Sequence, residues 1–238
     1  MTMKTPERDC LLCPRLGAFR QEQRRTFPDW HNAPVPAFGS KNVRLLVVGL
    51  APGLRGANRT GRPFTGDYAG DLLYATLAKF GFASGTYQKR ADDGFTLVDT
   101  RVTNAVRCVP PENKPETSEI NTCRTFLGEE LGALWELKII LALGLIAHRS
   151  VLAALKARTR AYPFAHGAFH EIRDGLTLAD SYHCSRYNTN TGRLTTEMFE
   201  SVVAAIRERL PSPASLTGEG GLSLRNAMGG EGAAPREI

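Results

Sequence analysis

Val43-Arg-Leu-Leu-Val-Val-Gly49 is a short apolar run, rich in β-branched residues and closed by glycine. A run of this length, apolar at nearly every position, reads as a strand buried on both faces of a parallel sheet. Downstream comes a glycine-rich loop from Leu50 to about Gly70. In the stretch after it, Leu73, Leu77 and Phe80 share one helical face, and Gly81 supplies a C-terminal stop. Further strands are expected at residues 101–106, 138–143 and 176–182. Helices are expected between and after them, at residues 117–134, 145–157 and 195–210, with Thr117 and Thr195 as caps. Upstream, residues 15–25 read as a short helix, and residues 28–40, with prolines at 28, 34 and 36, as an extended loop. Strands alternating with helices predict an α/β fold: a three-layer αβα sandwich around a mainly parallel four-stranded sheet. Ligands of such sheets sit beyond the carboxyl ends of the strands, so the loops after Val48, Val106 and Tyr182 are the places to look for chemistry.

The composition sets the class. Of 238 residues, 42% are hydrophobic and 23% charged, which fits a globular chain rather than a disordered one. Residues 1–210 are expected to form one domain whose N-terminal segment carries a Cys-x2-Cys pair. Residues 211–238, rich in Gly, Pro and Ser and without periodicity, read as a flexible tail. No apolar run is long enough to cross a bilayer, and the N-terminus lacks an apolar signal core, so a cytoplasmic protein without a membrane partner is expected. The formal charge of +6 favours a polyanionic partner. Arg55, Arg59 and Arg62 cluster in one loop and Arg186 and Arg193 in another, as phosphate contacts or as solvated loop charge.

Five cysteines in a reducing compartment argue against a disulfide framework. Cys10 and Cys13 form a tight pair and Cys108 and Cys123 a wide one. Four thiolates can close a tetrahedral zinc site or hold an iron–sulfur cluster, and the wide second pair tilts the reading toward [4Fe–4S]; four buried structural cysteines are the alternative. Cys184, beside His183, reads as packing or loop structure.

Three stretches converge on one family. Gly49-Leu-Ala-Pro-Gly53 followed by Gly56-Ala-Asn-Arg-Thr-Gly-Arg-Pro-Phe-Thr-Gly-Asp67 resembles the first motif of the type 5 uracil-DNA glycosylases, within the uracil-DNA glycosylase superfamily. Thr103-Asn-Ala-Val-Arg-Cys-Val-Pro-Pro-Glu-Asn-Lys-Pro115 resembles the central segment, and Ser181-Tyr-His-Cys-Ser-Arg-Tyr-Asn-Thr-Asn-Thr-Gly-Arg-Leu194 the second motif. The resemblance covers roughly residues 8–210. The related type 4 enzymes carry an acid where this chain has Leu50, which points to type 5. The family's His-Pro-Ser is His183-Cys-Ser185 here, without the stiffening proline.

The resemblance implies base excision repair in a bacterial or archaeal cell by a monomer. Uracil, and with it hypoxanthine or xanthine, would be everted from double- or single-stranded DNA and its N-glycosidic bond hydrolysed, without lyase activity. Cys10, Cys13, Cys108 and Cys123 would be the ligands of a [4Fe–4S] cluster. His183 would donate a hydrogen bond to the base as negative charge develops on it. Asp67 would orient water, or it caps the following helix, or both. Phe64 would stack on the base, unless it is a core residue. Asn104 and Asn113 would read the base edge, with the backbone amides of Leu50 and Ala51, or brace turns. Arg59, Arg186 and Arg193 would hold phosphates and Leu194 would wedge into the gap left by the base. A non-catalytic iron–sulfur module that binds nucleic acid is the rival from another class. A nucleotide-binding loop is disfavoured, because the glycines lack Gly-x4-Gly-Lys-Ser/Thr and the dinucleotide fingerprint.

Overall fold

In the computed structural model, residues 3–210 are described, and the stretch read as a tail lies outside them. The chain runs through α1 (Pro14–Thr26), β1 (Leu45–Gly49), α2 (Ala57–Thr60), α3 (Tyr68–Lys79), β2 (Ala83–Ser84), β3 (Thr96–Leu97), β4 (Thr100–Asn104) and α4 (Thr117–Ala133). It continues with β5 (Ile139–Leu143), α5 (Leu145–Ala154), β6 (Phe169–Arg173), β7 (Leu176–Ser181), α6 (Arg186–Asn190) and α7 (Thr196–Arg209).

The opening stretch is the centre of the sheet. All residues of β1 are buried, and the strand pairs in parallel with β4 on one side and β5 on the other. Side chains alternate across it as the pleat requires. Leu45 and Val47 face the layer of α3 and α7, with Leu73, Leu77, Phe199 and Val203. Leu46 and Val48 face the layer of α4 and α5, with Leu127, Leu131 and Val151. A third, smaller core joins α1 to α4 through Leu16, Val106 and Phe126.

Among the described residues the sheet has five strands, ordered β4-β1-β5-β7-β6, not four. The additional strand, β6, pairs antiparallel with β7 at the edge. Its sequence, Phe169-His-Glu-Ile-Arg173, is polar and only half-buried, so it carries none of the apolar continuity of the parallel strands. The signal that marks it is the Asp174-Gly175 turn, with Gly175 at φ 70°, the hairpin dipeptide.

Helix starts follow local chemistry. Thr195 caps α7 by accepting from the Met198 amide. On α4 the cap falls one residue earlier than expected. Glu116, not Thr117, occupies the N-cap and forms a reciprocal capping box with Glu119. Gly81 takes φ 71° after α3, the left-handed stop its type permits.

Candidate active site

Gly49 and Asn104 are register partners at the carboxyl ends of β1 and β4, and His183 lies two residues beyond β7. The cleft over these ends has a volume of about 600 Å³. Leu50, Ala51, Phe64, Asp67, Asn104, Asn113, His183 and Arg186 line it together with Arg55, as do Tyr68 and Ser185, which the sequence reading did not single out.

The loop before α3 is held rigidly. Phe64 sits at φ 55°, a left-handed backbone that a phenylalanine adopts only when its surroundings impose it. The Tyr74 hydroxyl donates to the Pro63 carbonyl at 2.5 Å, and the Tyr87 hydroxyl to the Phe64 carbonyl at 3.2 Å. Beneath them Arg62 is no solvated loop charge. Its side chain is 5% exposed and forks onto the fully buried Asp93 carboxylate with two bonds of 2.8 Å. Arg62 Nε donates to Thr65 Oγ1 at 2.7 Å, and the guanidinium lies 4.9 Å over the Phe38 ring. Burial pushes the Asp93 carboxyl up, but Arg62 and two backbone amides outweigh it and hold the group well below the ordinary carboxylate range. The Phe64 ring reaches the mouth of β1 so closely that a methyl group on Gly49 would stand 2.4 Å from its Cζ and 2.5 Å from Asn104 Oδ1. Phe64 is thus both a member of the core and part of the cleft wall.

Asp67 occupies the N-cap position of α3 with extended backbone; the Ala69 and Gly70 amides of the first turn lie near enough to its carboxylate to favour the ionised form, though neither completes a capping bond of normal geometry. Its carboxylate turns instead toward Gly53 and Gly56, where added methyl groups would lie 2.9 and 2.3 Å from Oδ2. Oδ1 is buried without a hydrogen-bond partner. Burial raises its pKa above the ordinary carboxylate value. A partly desolvated carboxylate with a free acceptor beside a cleft is suited to hold and polarise a water molecule.

The His183 ring faces Phe64 at 6.0 Å between centroids, 29° from parallel. Packing around the ring keeps most water away, and burial lowers its pKa to about 4, so it is neutral near pH 7. A neutral imidazole donates a hydrogen bond without bringing a charge into the site. The loop that carries it closes on itself: Asn188 Nδ2 donates to the His183 carbonyl at 2.8 Å. Cys184 is fully buried in the core, which supports the packing reading. Asn104 is buried, with Oδ1 unpartnered. Asn113 is exposed at the far rim, in a 3-10 turn where it and Glu112 both take positive φ.

The arginines separate. Arg186 lines the cleft with its guanidinium 5.4 Å over the Tyr68 ring. Arg59, on α2, is exposed outside the cleft and lies over Gly66. Arg193 stacks 4.7 Å over Tyr182. Leu194, expected as a wedge, is 1% exposed and belongs to the core that contains Phe199, so it is not presented at the surface in this structure. The exposed apolar side chain of this loop is Tyr187, 71% exposed next to Arg186.

Cys10, Cys13, Cys108 and Cys123 line one small cavity between α1 and α4, apart from the cleft. Arg15 ties these two helices by a forked ion pair to Glu119, with bonds of 2.8 and 2.7 Å. Elsewhere, His148, His170 and Asp180 bring their ligand atoms within 4.8 Å of one another. Their hydrogen bonds are already made: Asp180 is bonded to His148 Nδ1 at 2.7 Å and His170 Nε2 at 3.3 Å, and His148 Nε2 bonds the Tyr162 carbonyl. The group is a cross-brace beneath β7.

A parallel sheet whose strand ends gather a histidine, a carboxylate, an asparagine and an aromatic wall defines a class of cleft enzyme, and comparison gives it a family. The model of the uracil DNA glycosylase superfamily matches residues 36–207, and the chain belongs to that superfamily. Its relatives include a type-5 uracil-DNA glycosylase of Thermus thermophilus, 47% identical over 82% of this chain and 90% of that protein. One from Mycobacterium tuberculosis is 41% identical over 81% of this chain and 75% of that protein. A type-4 uracil-DNA glycosylase of Pyrobaculum aerophilum is more distant, at 34% over 63% of this chain and 70% of that protein. Among the described residues no helix is long and apolar enough to cross a membrane.

Proposed function

We propose that this chain is a monofunctional DNA glycosylase that everts uracil and other deaminated bases, hypoxanthine and xanthine among them, and hydrolyses the bond to deoxyribose. The observation that carries the reading is the meeting of Phe64, Asp67, Asn104 and His183 in one cleft, on a chain of this family.

In the proposed mechanism the base enters against the Phe64 ring. Asn104 pairs with its edge, with the main-chain amides of Leu50 and Ala51 and the rim residue Asn113 in support. As the glycosidic bond lengthens, negative charge gathers on the base, and the neutral His183 ring donates a hydrogen bond to its oxygen. Asp67 holds the water that meets the sugar carbon, and its free Oδ1 accepts the water's proton. Arg186 and Arg55 at the mouth hold phosphates, with Arg59 and Arg193 as outlying contacts. Tyr187 replaces Leu194 as the side chain that fills the vacated stack.

Cys10, Cys13, Cys108 and Cys123 are proposed to hold a [4Fe–4S] cluster. Arg20 supports an anionic centre here: it is 1% exposed, points Nη1 at Cys108 Sγ at 3.5 Å, and leaves Nε without a partner. When bound, the cluster supplies structure, since the hydrolysis transfers no electrons. It would fix α1 and the segment that leads from Asn104 to Cys108.

The test is a single-turnover panel of duplexes carrying U·G, U·A, hypoxanthine·T and undamaged pairs, scored for free base and for alkali-labile sites. Release of uracil from U·G is the expected result. Tight, salt-sensitive binding with every glycosidic bond intact would instead establish the non-catalytic module.

A further inference from the structure

The thiol cavity is walled by more positive charge than its carboxylates balance. Arg20 donates from Nη1 to Cys108 Sγ and from Nη2 to the Cys10 carbonyl at 2.8 Å, and has no carboxylate in ion-pair contact among the described residues. Arg107 also lines the cavity. Its amide donates to Cys123 Sγ at 3.3 Å, and its side chain shares one carboxylate, Glu130, with Arg101. Arg15 pairs with both Glu119 and Glu116 and brings no excess charge. Arg20 is therefore the buried guanidinium at the sulfurs that no carboxylate meets among the described residues. A lone buried cation is strongly disfavoured unless a negative group meets it. Four thiolates around a [4Fe–4S] core of charge +2 carry a net charge of −2, which would supply the negative group that Arg20 lacks.

We propose that Arg20, with Arg107, forms the charge-compensating shell of the centre, with Arg20 as the residue that sets its retention and its potential. The proposal rests on the cluster reading above. Hydrogen bonds and fixed positive charge at the sulfurs draw electron density from a cluster and raise its reduction potential. Arg20 acts through the thiolates and touches no substrate.

The experiment uses the full chain as wild type, Arg20→Met and Arg20→Lys. Iron and sulfide content are measured first. Then follow the rate at which a ferrous chelator bleaches the cluster, the cluster's midpoint potential on an electrode, and melting of iron-loaded and iron-stripped protein. For Arg20→Met we expect bleaching about tenfold faster and a midpoint lowered by about 59 mV, the one-electron equivalent of tenfold. Loaded protein should melt lower than wild type but stripped protein no lower, because the substitution removes an unpaired charge from the empty pocket. A residue that merely packs would lower both. Arg20→Lys, which keeps the charge, should hold the wild-type potential. If Arg20→Met yields no folded protein, Arg20→Lys decides: a lowering near 59 mV overturns compensation by charge. Unchanged bleaching and potential in iron-loaded Arg20→Met also overturns it. Wild type without iron is a different outcome, and sinks the cluster reading itself.

Discussion

Replacing Gly49 with alanine isolates the geometry of the cleft from its chemistry. Gly49 has no positive φ, so alanine meets no backbone penalty there, and a glycine inside a strand is disfavoured by about 0.5–1 kcal/mol relative to alanine. The added methyl would stand 2.4 Å from Phe64 Cζ and 2.5 Å from Asn104 Oδ1. Ordinary contact begins near 3.5 Å, so both groups must retreat by roughly 1 Å. Phe64 has little room, because Tyr74 and Tyr87 hold the Pro63 and Phe64 carbonyls. Overpacking of this kind costs about 1–3 kcal/mol, which the strand preference partly offsets, so the fold should survive. A misplacement of about 1 Å costs on the order of 10²-fold in rate, equivalent to about 2.7 kcal/mol of barrier. The assay is single-turnover excision from a uracil duplex with enzyme in excess, paired with a melting curve. A folded Gly49→Ala that excises within threefold of wild type would refute the claim that Phe64 and Asn104 act from fixed positions.

Other substitutions address single roles. His183→Ala should slow excision by about 10²–10³-fold while the affinity for duplex DNA, read by fluorescence anisotropy, stays within about threefold; an equal loss in both would reassign His183 to DNA binding. The raised pKa of Asp67 places the acid limb of the rate profile above an ordinary carboxylate, with activity present above that limb and lost below it, and Asp67→Asn should erase the limb. Because folding favours protonated Asp67, its ionisation destabilises the fold as pH rises through the window above 3.8, so Asp67→Asn should melt no lower than wild type at pH 7. Arg62→Met strands the buried Asp93 charge and should cost about 3–5 kcal/mol in urea denaturation; a loss below 1 kcal/mol would show the pair to be dispensable. Tyr187→Ala should leave stability intact and slow excision from duplex more than from single strands, whereas Leu194→Ala should cost about 2–5 kcal/mol of stability; the reverse pattern would restore Leu194 as the wedge.

Much of this arrangement can be read from residue order. The run at 43–49 placed the central strand because a strand buried on both faces needs apolar residues at every position. Its flanking loops then located the cleft, since parallel strands deliver their carboxyl ends to one edge. Periodicity was silent where a different force governs. The strand Phe169–Arg173 is set by its Asp-Gly turn and by pairing at an edge, so its polar sequence hides it. Leu194 ends a polar stretch of sequence, yet it belongs to the same buried core as Phe199. Asp67 stands at a helix start, as a capping residue would, but its side chain fills the space left by Gly53 and Gly56, a contact visible only in three dimensions. The ion pair of Arg62 with Asp93 joins residues 31 positions apart, and no local pattern announces it.

That ion pair extends the functional map beyond the cleft. Asp93 lines no part of the cavity that would receive a base, yet it is the foot of the post on which the Phe64 turn stands. An asparagine or glutamate at position 93 would leave every cleft side chain chemically intact while the aromatic wall loses its footing. Inactivating alleles should therefore gather at residue 93 as well as at 64, 67 and 183. Their mark would be an enzyme that softens on warming and still grips its DNA.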